Sequence, residues 1–367
     1  MEKTKKRDSN IELYRIILML LIIAHHYVVN SGVVEVLYEN PINFKSIIMF
    51  LFGAWGKIGI NCFILITGFF MCKSNISLKK FLKLLLEVEF YNIIIYILMI
   101  IVGVDTLNFK HIIKAIMPIQ QINTNFTGCF LAFYLFIPFI NILIKNMNEK
   151  QHLCLIGLML FVYSILGTIP KITVVMNYIS LYFMIYLIGS YIRLYKIKIF
   201  ENKRNIKLFN IIMIILVNLS VIVGIFVGYK LNKKLAYYFV NDSNKIIAVA
   251  ASMALFLRFK NMNLKYNKVI NQVAKSVFGV LCIHANSLEM IYFLWHKLLK
   301  NTQAFQHNTY LLHAVISVAV VFIICTIIDQ ARIKLIEEPL FKKIGEKLDK
   351  IQEKFESKMQ ERNILKS

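Results

Sequence analysis

Charged residues are scarce in this chain of 367 residues: Asp, Glu, Lys and Arg make up only 17%, while 58% of the residues are apolar. Soluble domains average about a quarter charged residues and about half apolar ones, so the composition argues against a soluble protein. Mean hydropathy is +0.63, and apolar runs such as residues 208–229 are long enough to cross a hydrocarbon core about 30 Å thick. We therefore expect a membrane protein.

Several local signals are also missing. The six cysteines show no paired spacing, which argues against a disulfide framework or a zinc site, and we predict no bound metal. The basic start MEKTKKR precedes an apolar run without a small-x-small cleavage site, so we expect a retained first span. Only five prolines and no clear internal repeat argue against the repeated, interrupted helices of many secondary transporters.

What is present is a series of apolar runs, which predicts an all-α integral membrane protein. About ten transmembrane helices are expected, at residues 11–30, 46–72, 81–104, 126–144, 152–169, 176–192, 208–229, 245–257, 273–295 and 309–331. Most of the 43 lysines and arginines fall in the first segment, alternate loops and the tail. This pattern predicts cytoplasmic N- and C-termini. The net charge of +23 is then mainly a topology signal rather than evidence for nucleic acid, although anionic lipid remains a possible partner.

Two regions follow from this pattern: a multi-span membrane domain over residues 1–335 and a charged cytoplasmic tail over residues 336–367. In the tail, apolar residues recur at steps of three and four, at Ile344, Leu348, Ile351, Phe355 and Met359. This periodicity predicts an amphipathic helix on the membrane or against a partner; a solvated tail is the equal alternative. Residues 109–119 are amphipathic but too short to span, so they lie in the outer interface or re-enter.

Ionisable residues inside spans each cost about 2.5–3.5 kcal/mol at a helix centre, so each needs a reason. The candidates are Arg15, His25, His26, Lys57, Glu87, Glu89, His284, Glu289 and Asp329. We expect Glu289 and Asp329 to reach the headgroups from the span ends. Lys57 lies mid-span and is expected to face a polar cavity or a carboxylate.

The first span carries a single polar stripe. Arg15 and His26 are eleven residues apart, which places them within about 20° of each other on one helix face and about 16 Å apart along the axis. Glu12 lies three residues before Arg15 and can pair with it. His25 is turned away from His26 by about 100°. The stripe therefore runs from the cytoplasmic end, with Glu12 and Arg15, to His26 near mid-membrane.

A second histidine, His284, lies about eleven residues into the ninth span and is expected at a depth similar to that of His26. The pair predicts a shared buried site, the alternative being two separate helix–helix hydrogen bonds. Imidazole gives and takes protons near neutral pH, and the planar fork of an arginine binds phosphate bidentately. These groups favour a phosphate-bearing cosubstrate at the cytoplasmic face whose reactive end reaches a buried base.

Six motifs in register resemble the membrane acyltransferase 3 family. They are IELYRIILMLLIIAHHY (11–27), with Arg15 and His26 at the family spacing and Glu12 as the acidic residue, GINCFILITGFF (59–70), FLAFYLFIPFIN (130–141), FMIYLIGSYIRLY (183–195), SVFGVLCIHANS (276–287) and IKLIEEPLFKKI (333–344). The resemblance covers about residues 8–345. In two places the chain departs from the family: Lys80 and Lys83 stand where family members often carry two arginines, and a tryptophan usual before the fourth-span tyrosine is absent around 125–129.

The resemblance implies an O-acetyltransferase that moves an acyl group, usually acetyl, from cytoplasmic acetyl-CoA to a hydroxyl of a surface glycan, as in exopolysaccharide biosynthesis. His26 is then expected to be the base, and His284 to orient the acceptor or to stabilise the oxyanion. Arg15, with Lys79, Lys80 and Lys83, is expected to hold the CoA phosphates. Direct transfer and an acyl-histidine relay both stay open.

The expected setting is a bacterial cytoplasmic membrane, with acyl-CoA, membrane lipid and a glycan or lipid-linked saccharide as partners and no nucleic acid. The main alternative is a proton-coupled transporter or a lipid-linked glycan flippase, since intramembrane His, Glu and Arg also build proton relays. A scaffold without catalytic activity is the third possibility, but it leaves Arg15, His26 and His284 unexplained.

Overall fold

The computed structural model of the protein describes residues 8–74, 76–117 and 126–361, and over these ranges it contains helices and no strand. The basic segment 1–7, which precedes the predicted first span, lies outside the described residues. So do residues 118 and 119 of the predicted amphipathic stretch and the last part of the tail, 362–367. The all-α class expected from the apolar runs is confirmed for the part described.

Eighteen α-helices, some joined by single π or 3₁₀ turns, make up the described chain. The first nine are α1 (Ser9–Val29), α2 (Val33–Glu39), α3 (Phe44–Phe52), α4 (Gly56–Met71), α5 (Leu78–Ile101), α6 (Phe109–Ile116), α7 (Phe126–Lys145), α8 (Glu149–Met159) and α9 (Leu166–Thr168). The others are α10 (Tyr178–Leu194), α11 (Lys203–Leu231), α12 (Ile246–Lys260), α13 (Lys268–Val273), α14 (Val277–His284), α15 (Leu288–Tyr292), α16 (Asn301–Gln306), α17 (Tyr310–Arg332) and α18 (Glu338–Glu361).

In the described ranges, seven helical segments are long and apolar enough to cross a membrane, or eight if one bent pair is counted. The expected number of about ten is therefore not confirmed. Two expected spans form helices that are shorter, α10 with 17 residues and α12 with 15. A third, at 273–295, is broken: Lys268–His284 and Leu288–Leu298 meet at an angle of 92°. The cytoplasmic location of both termini stays a prediction.

Helix α4 packs against α1, α10 and α12. Its contact with α10 is close because both helices carry glycine at the crossing. A Cβ on Gly68 would overlap the carbonyl of Tyr186, and one on Gly189 would overlap the carbonyl of Leu65. Small residues let helix backbones approach closely inside a membrane, where dispersion contacts hold helices together. The closely packed α4–α10 pair therefore forms one side of the bundle, and α1 packs against α4 on that side.

The boundary between the membrane domain and the tail, expected at residues 335 and 336, stays a prediction. Helix α17 runs through a π-helical turn, Ile333–Glu337, directly into α18, so residue 335 lies within a continuous helical segment. Helix α18 lies against the start of α5, where the Leu78 N–H donates to Oε1 of Gln352 at 2.9 Å. The predicted amphipathic helix is thus present from Glu338 to Glu361 and packs on the chain's own α5.

Candidate active site

Two histidines from distant parts of the chain meet at helix ends. His26 lies three residues before the end of α1, and His284 is the last residue of α14, at the 92° break. Nδ1 of His26 is 3.0 Å from Nε2 of His284, and Nδ1 of His284 is 2.6 Å from the Val280 carbonyl oxygen. The structure therefore places the two predicted histidines in one site. His26 is the eighteenth of the 21 residues of α1, so its ring lies near the end of this helix rather than at its middle.

The hydrogen bonds determine where the protons sit in the neutral pair. A carbonyl only accepts, so His284 donates its Nδ1–H to Val280, and its Nε2 is left as an acceptor. Nδ1 of His26 must then carry the proton that is donated to His284. The consequence is that Nε2 of His26 holds a lone pair, the form that a general base requires.

His26 opens onto a cavity of about 420 Å³, which is lined by α1, α4, α5, α6, α7, α10 and the broken α14–α15 pair. Polar side chains line it among apolar ones: Asn30, Lys57, Asn92, Lys114, Thr127, Tyr178, Asn286 and Ser287. A cavity of this size with a few convergent polar groups is typical of a small-molecule site. His284 is fully buried and is absent from the described lining, so it contacts the cavity only through His26.

His25 occupies a different environment from its neighbour. Its Nδ1–H donates to the carbonyl of Gly53 at 2.6 Å, and the side chain is 5% exposed. The ring lies flat against α4 at Gly56, where a Cβ would overlap it. The helix-face argument is confirmed in this respect: His25 points into the α1–α4 contact, and His26 points into the cavity.

The predicted pair at the start of α1 is present. Nη1 of Arg15 lies 3.8 Å from Oε2 of Glu12, and the Arg15 side chain is 33% exposed. Eleven residues of helix, about 16 Å, separate Arg15 from His26. An extended cosubstrate arm would span this distance, with its charged end at Arg15. The roles assigned to Arg15 and Glu12 stay predictions.

The three lysines proposed for phosphate binding lie in different settings at the start of α5. Lys79 pairs with Asp349 of α18 at 3.2 Å, Lys83 pairs with Glu337 at 3.1 Å, and Lys80 is exposed. Lys79 and Lys83 are therefore already paired with carboxylates, and both carboxylates come after α17 in the chain. Their role in holding CoA stays a prediction, and Lys80 is the one exposed to solvent.

An ionic cluster around Arg332 corrects the expectation for Asp329. Asp329 is 0% exposed and does not reach the headgroups; its carboxylate accepts from Nε of Arg332 at 2.8 Å and from the Tyr91 hydroxyl at 2.8 Å. Glu87 pairs with Arg332 at 3.1 Å. Arg332 also contacts Glu337 at 2.9 Å. The clue in the sequence was the spacing of three between Asp329 and Arg332, which suits a helical ion pair.

Lys57 faces the cavity, one of the two settings expected for it. Its Nζ donates to the Tyr178 hydroxyl at 3.2 Å. Over the described ranges it forms no ion pair with a carboxylate.

Glu289, expected to reach the headgroups, lines a smaller outer cavity beside Asn286. No group of three or more His, Cys, Asp or Glu side chains among the described residues could hold a metal ion.

The fold and the site together define a polytopic membrane protein in which a hydrogen-bonded histidine pair faces a polar cavity. A family model described as an acyltransferase domain, that of the acyltransferase 3 family, matches residues 8–330. The chain belongs to this family and is a membrane acyltransferase, which confirms the resemblance seen in the motifs. No curated protein and no solved structure matches the chain.

Proposed function

We propose that the protein transfers an acyl group, most simply acetyl, from cytoplasmic acyl-CoA to a hydroxyl of a cell-surface glycan or a lipid-linked saccharide. The supporting observation is the hydrogen-bond chain from Val280 through His284 to His26, which leaves Nε2 of His26 as a base facing the cavity. The setting would be a bacterial cytoplasmic membrane, with membrane lipid around the bundle.

In the proposed reaction the acceptor hydroxyl gives its proton to Nε2 of His26 as its oxygen attacks the thioester carbonyl. The carbon–sulfur bond then breaks, and the CoA sulfur leaves and takes the proton from His26. The products are the acyl ester and free CoA, so the base returns to its starting form. His284 does not touch the acceptor in this scheme; it sets the tautomer of His26 and holds the ring in place.

Donor binding is assigned to the opposite end of α1. Arg15 is partly exposed there, and its planar guanidinium suits a diphosphate better than a lysine does. Lys80 is exposed, and Lys79 and Lys83 would have to exchange their carboxylate partners in order to bind CoA. The distance of about 16 Å between Arg15 and His26 then separates phosphate binding from the reacting thioester.

The decisive experiment is the binding of radiolabelled acetyl-CoA to detergent-purified protein, wild type against Arg15→Ala. Hydrogen bonds to charged groups contribute about 1.5–3 kcal/mol, so we expect saturable binding that weakens at least about tenfold in the variant. A matched control is Arg204→Ala, since Arg204 is exposed at the start of α11. Folded wild-type protein that binds no acetyl-CoA would instead support a transporter or flippase.

A further inference from the structure

The charges that line the cavity all have one sign. Lys57 and Lys114 both face it, and in the described lining no aspartate or glutamate does. His26 lines the same cavity as these two lysines. In a largely apolar bundle an ionisable side chain is costly unless something compensates for its charge.

In the part of the chain that the structure describes, neither lysine has a carboxylate partner. Within the described ranges, neither Lys57 nor Lys114 forms an ion pair with a carboxylate. The ammonium group of Lys57 donates a hydrogen bond to the neutral hydroxyl of Tyr178. The smaller outer cavity shares Lys114, Asn92, Asn286 and Ser287 with the main one, and two carboxylates, Asp105 and Glu289, line it. Of these, Asp105 is already engaged by His111 at 2.7 Å.

We propose that the acceptor bound in this cavity carries an anionic group, a phosphate or a carboxylate, which Lys57 and Lys114 hold. The inference rests on the proposed function, because it names the substrate class of the same site. A lysine ammonium binds such anions as a point charge that tolerates either geometry. The asparagines beside it, Asn30, Asn92 and Asn286, supply amide groups for the uncharged hydroxyls of the same molecule.

The selectivity has a simple electrostatic basis. In a site shielded from water, two charges a few ångströms apart interact by several kcal/mol, against about 1 kcal/mol in bulk water. A neutral acceptor would bring no counter-charge to the two lysines, whereas an anionic one supplies it. Charge complementarity of this kind favours one class of ligand and excludes the cationic alternatives.

The test compares matched sugars on purified, folded protein at constant ionic strength, without acyl-CoA. The probes are methyl glucuronide for the carboxylate, glucose 6-phosphate for the phosphate and methyl glucoside as the neutral reference, with binding measured by calorimetry. We expect an anionic probe to bind at least about tenfold more tightly than methyl glucoside. Which of the two anionic probes binds more tightly identifies the group. In Lys57→Met and in Lys114→Met the preference should fall to within about twofold.

Lys110→Met is the control, since Lys110 lies on α6 with Lys114 but is exposed and outside the described lining; it should keep the wild-type preference. Equal affinity for all three sugars in the wild type, or a preference that survives both cavity substitutions, would overturn the proposal. So would displacement of the bound anionic probe by free CoA, which would assign the cations to the donor. Acetyl-CoA binding on the same preparations tests the proposed function separately.

Discussion

Two adjacent histidines on α1 have different surroundings, and this difference can be tested directly. His26 presents Nε2 to the cavity, whereas His25 is hydrogen-bonded to Gly53 and packed on α4. We expect His26→Ala to lower the turnover number about 10²–10⁴-fold, the usual contribution of a general base, with little change in the thermal midpoint. The measurement is acyl transfer per folded molecule.

His25→Ala should show the opposite pattern. It leaves the Gly53 carbonyl unpaired in a buried place, which costs about 1–3 kcal/mol of folding free energy, while the folded fraction keeps its turnover. If both alanine variants lose turnover equally, the assignment of the base to one face of α1 is wrong.

His284 is predicted to act through His26. Without its Nε2, the proton on His26 is free to move to the other ring nitrogen, which removes the base from the cavity. We expect His284→Ala to reduce the turnover number by about 10²-fold, to change the shape of its pH profile and to leave the affinity for acetyl-CoA unchanged. A fall in donor affinity with an unaltered pH profile would show that His284 serves the donor site instead.

Burial by itself does not mark a functional histidine in this chain. His152 is as buried as His284, and its Nε2 donates to the carbonyl of Leu187 at 3.1 Å, between α8 and α10. It is absent from the described lining of the cavity. His284 differs from His152 in its hydrogen-bond partner. Its Nε2 accepts from His26, whose ring faces the cavity.

Among the helices, the junction of α5, α17 and α18 depends on one arginine. Arg332 neutralises Glu87 and Asp329 in a setting where its own side chain is 6% exposed. Removing one member of a buried ionic cluster leaves uncompensated charge and costs about 3–5 kcal/mol. We therefore expect Arg332→Met to lower the thermal midpoint strongly, measured in detergent.

The matched control for that prediction is Lys334→Met, because Lys334 lies two residues further along and is exposed. Exposed charges contribute little, so its midpoint should stay within about a degree or two of wild type. Equal midpoints for Arg332→Met and the wild type would mean that the cluster does not hold the junction together.

The whole molecule has a charge distribution that predicts its orientation. With cytoplasmic termini, the segment before α11 lies inside and the α11–α12 connection lies outside. In a cysteine-free background, a cysteine at Lys203 should react with a membrane-impermeant maleimide only after the cells are permeabilised. A cysteine at Lys233 should react in intact cells, and both positions are exposed in the fold. The reversed labelling pattern would invert the topology and place Arg15 outside.

Much of the candidate site could be predicted from properties of single helices. The separation of eleven residues placed Arg15 and His26 on one face, the step of one residue turned His25 away, and the motif series identified the family. Hydropathy predicted a helical membrane protein. These inferences succeed because periodicity and apolar length are local: they depend on residues within a few turns of one another.

The tertiary structure alone decided the contacts between helices. His26 and His284 are 258 positions apart, and Glu87 pairs with Arg332 because packing places α5 beside α17. The same holds for the 92° break at the cavity and for the packing of α18 against α5. It also holds for the two cavity lysines, which have no carboxylate partner within the described ranges. Such features depend on side-chain complementarity between distant segments, which no local pattern encodes. Sequence by itself determined the class of protein and the polar face of α1, and the packing of distant helices determined which groups meet there.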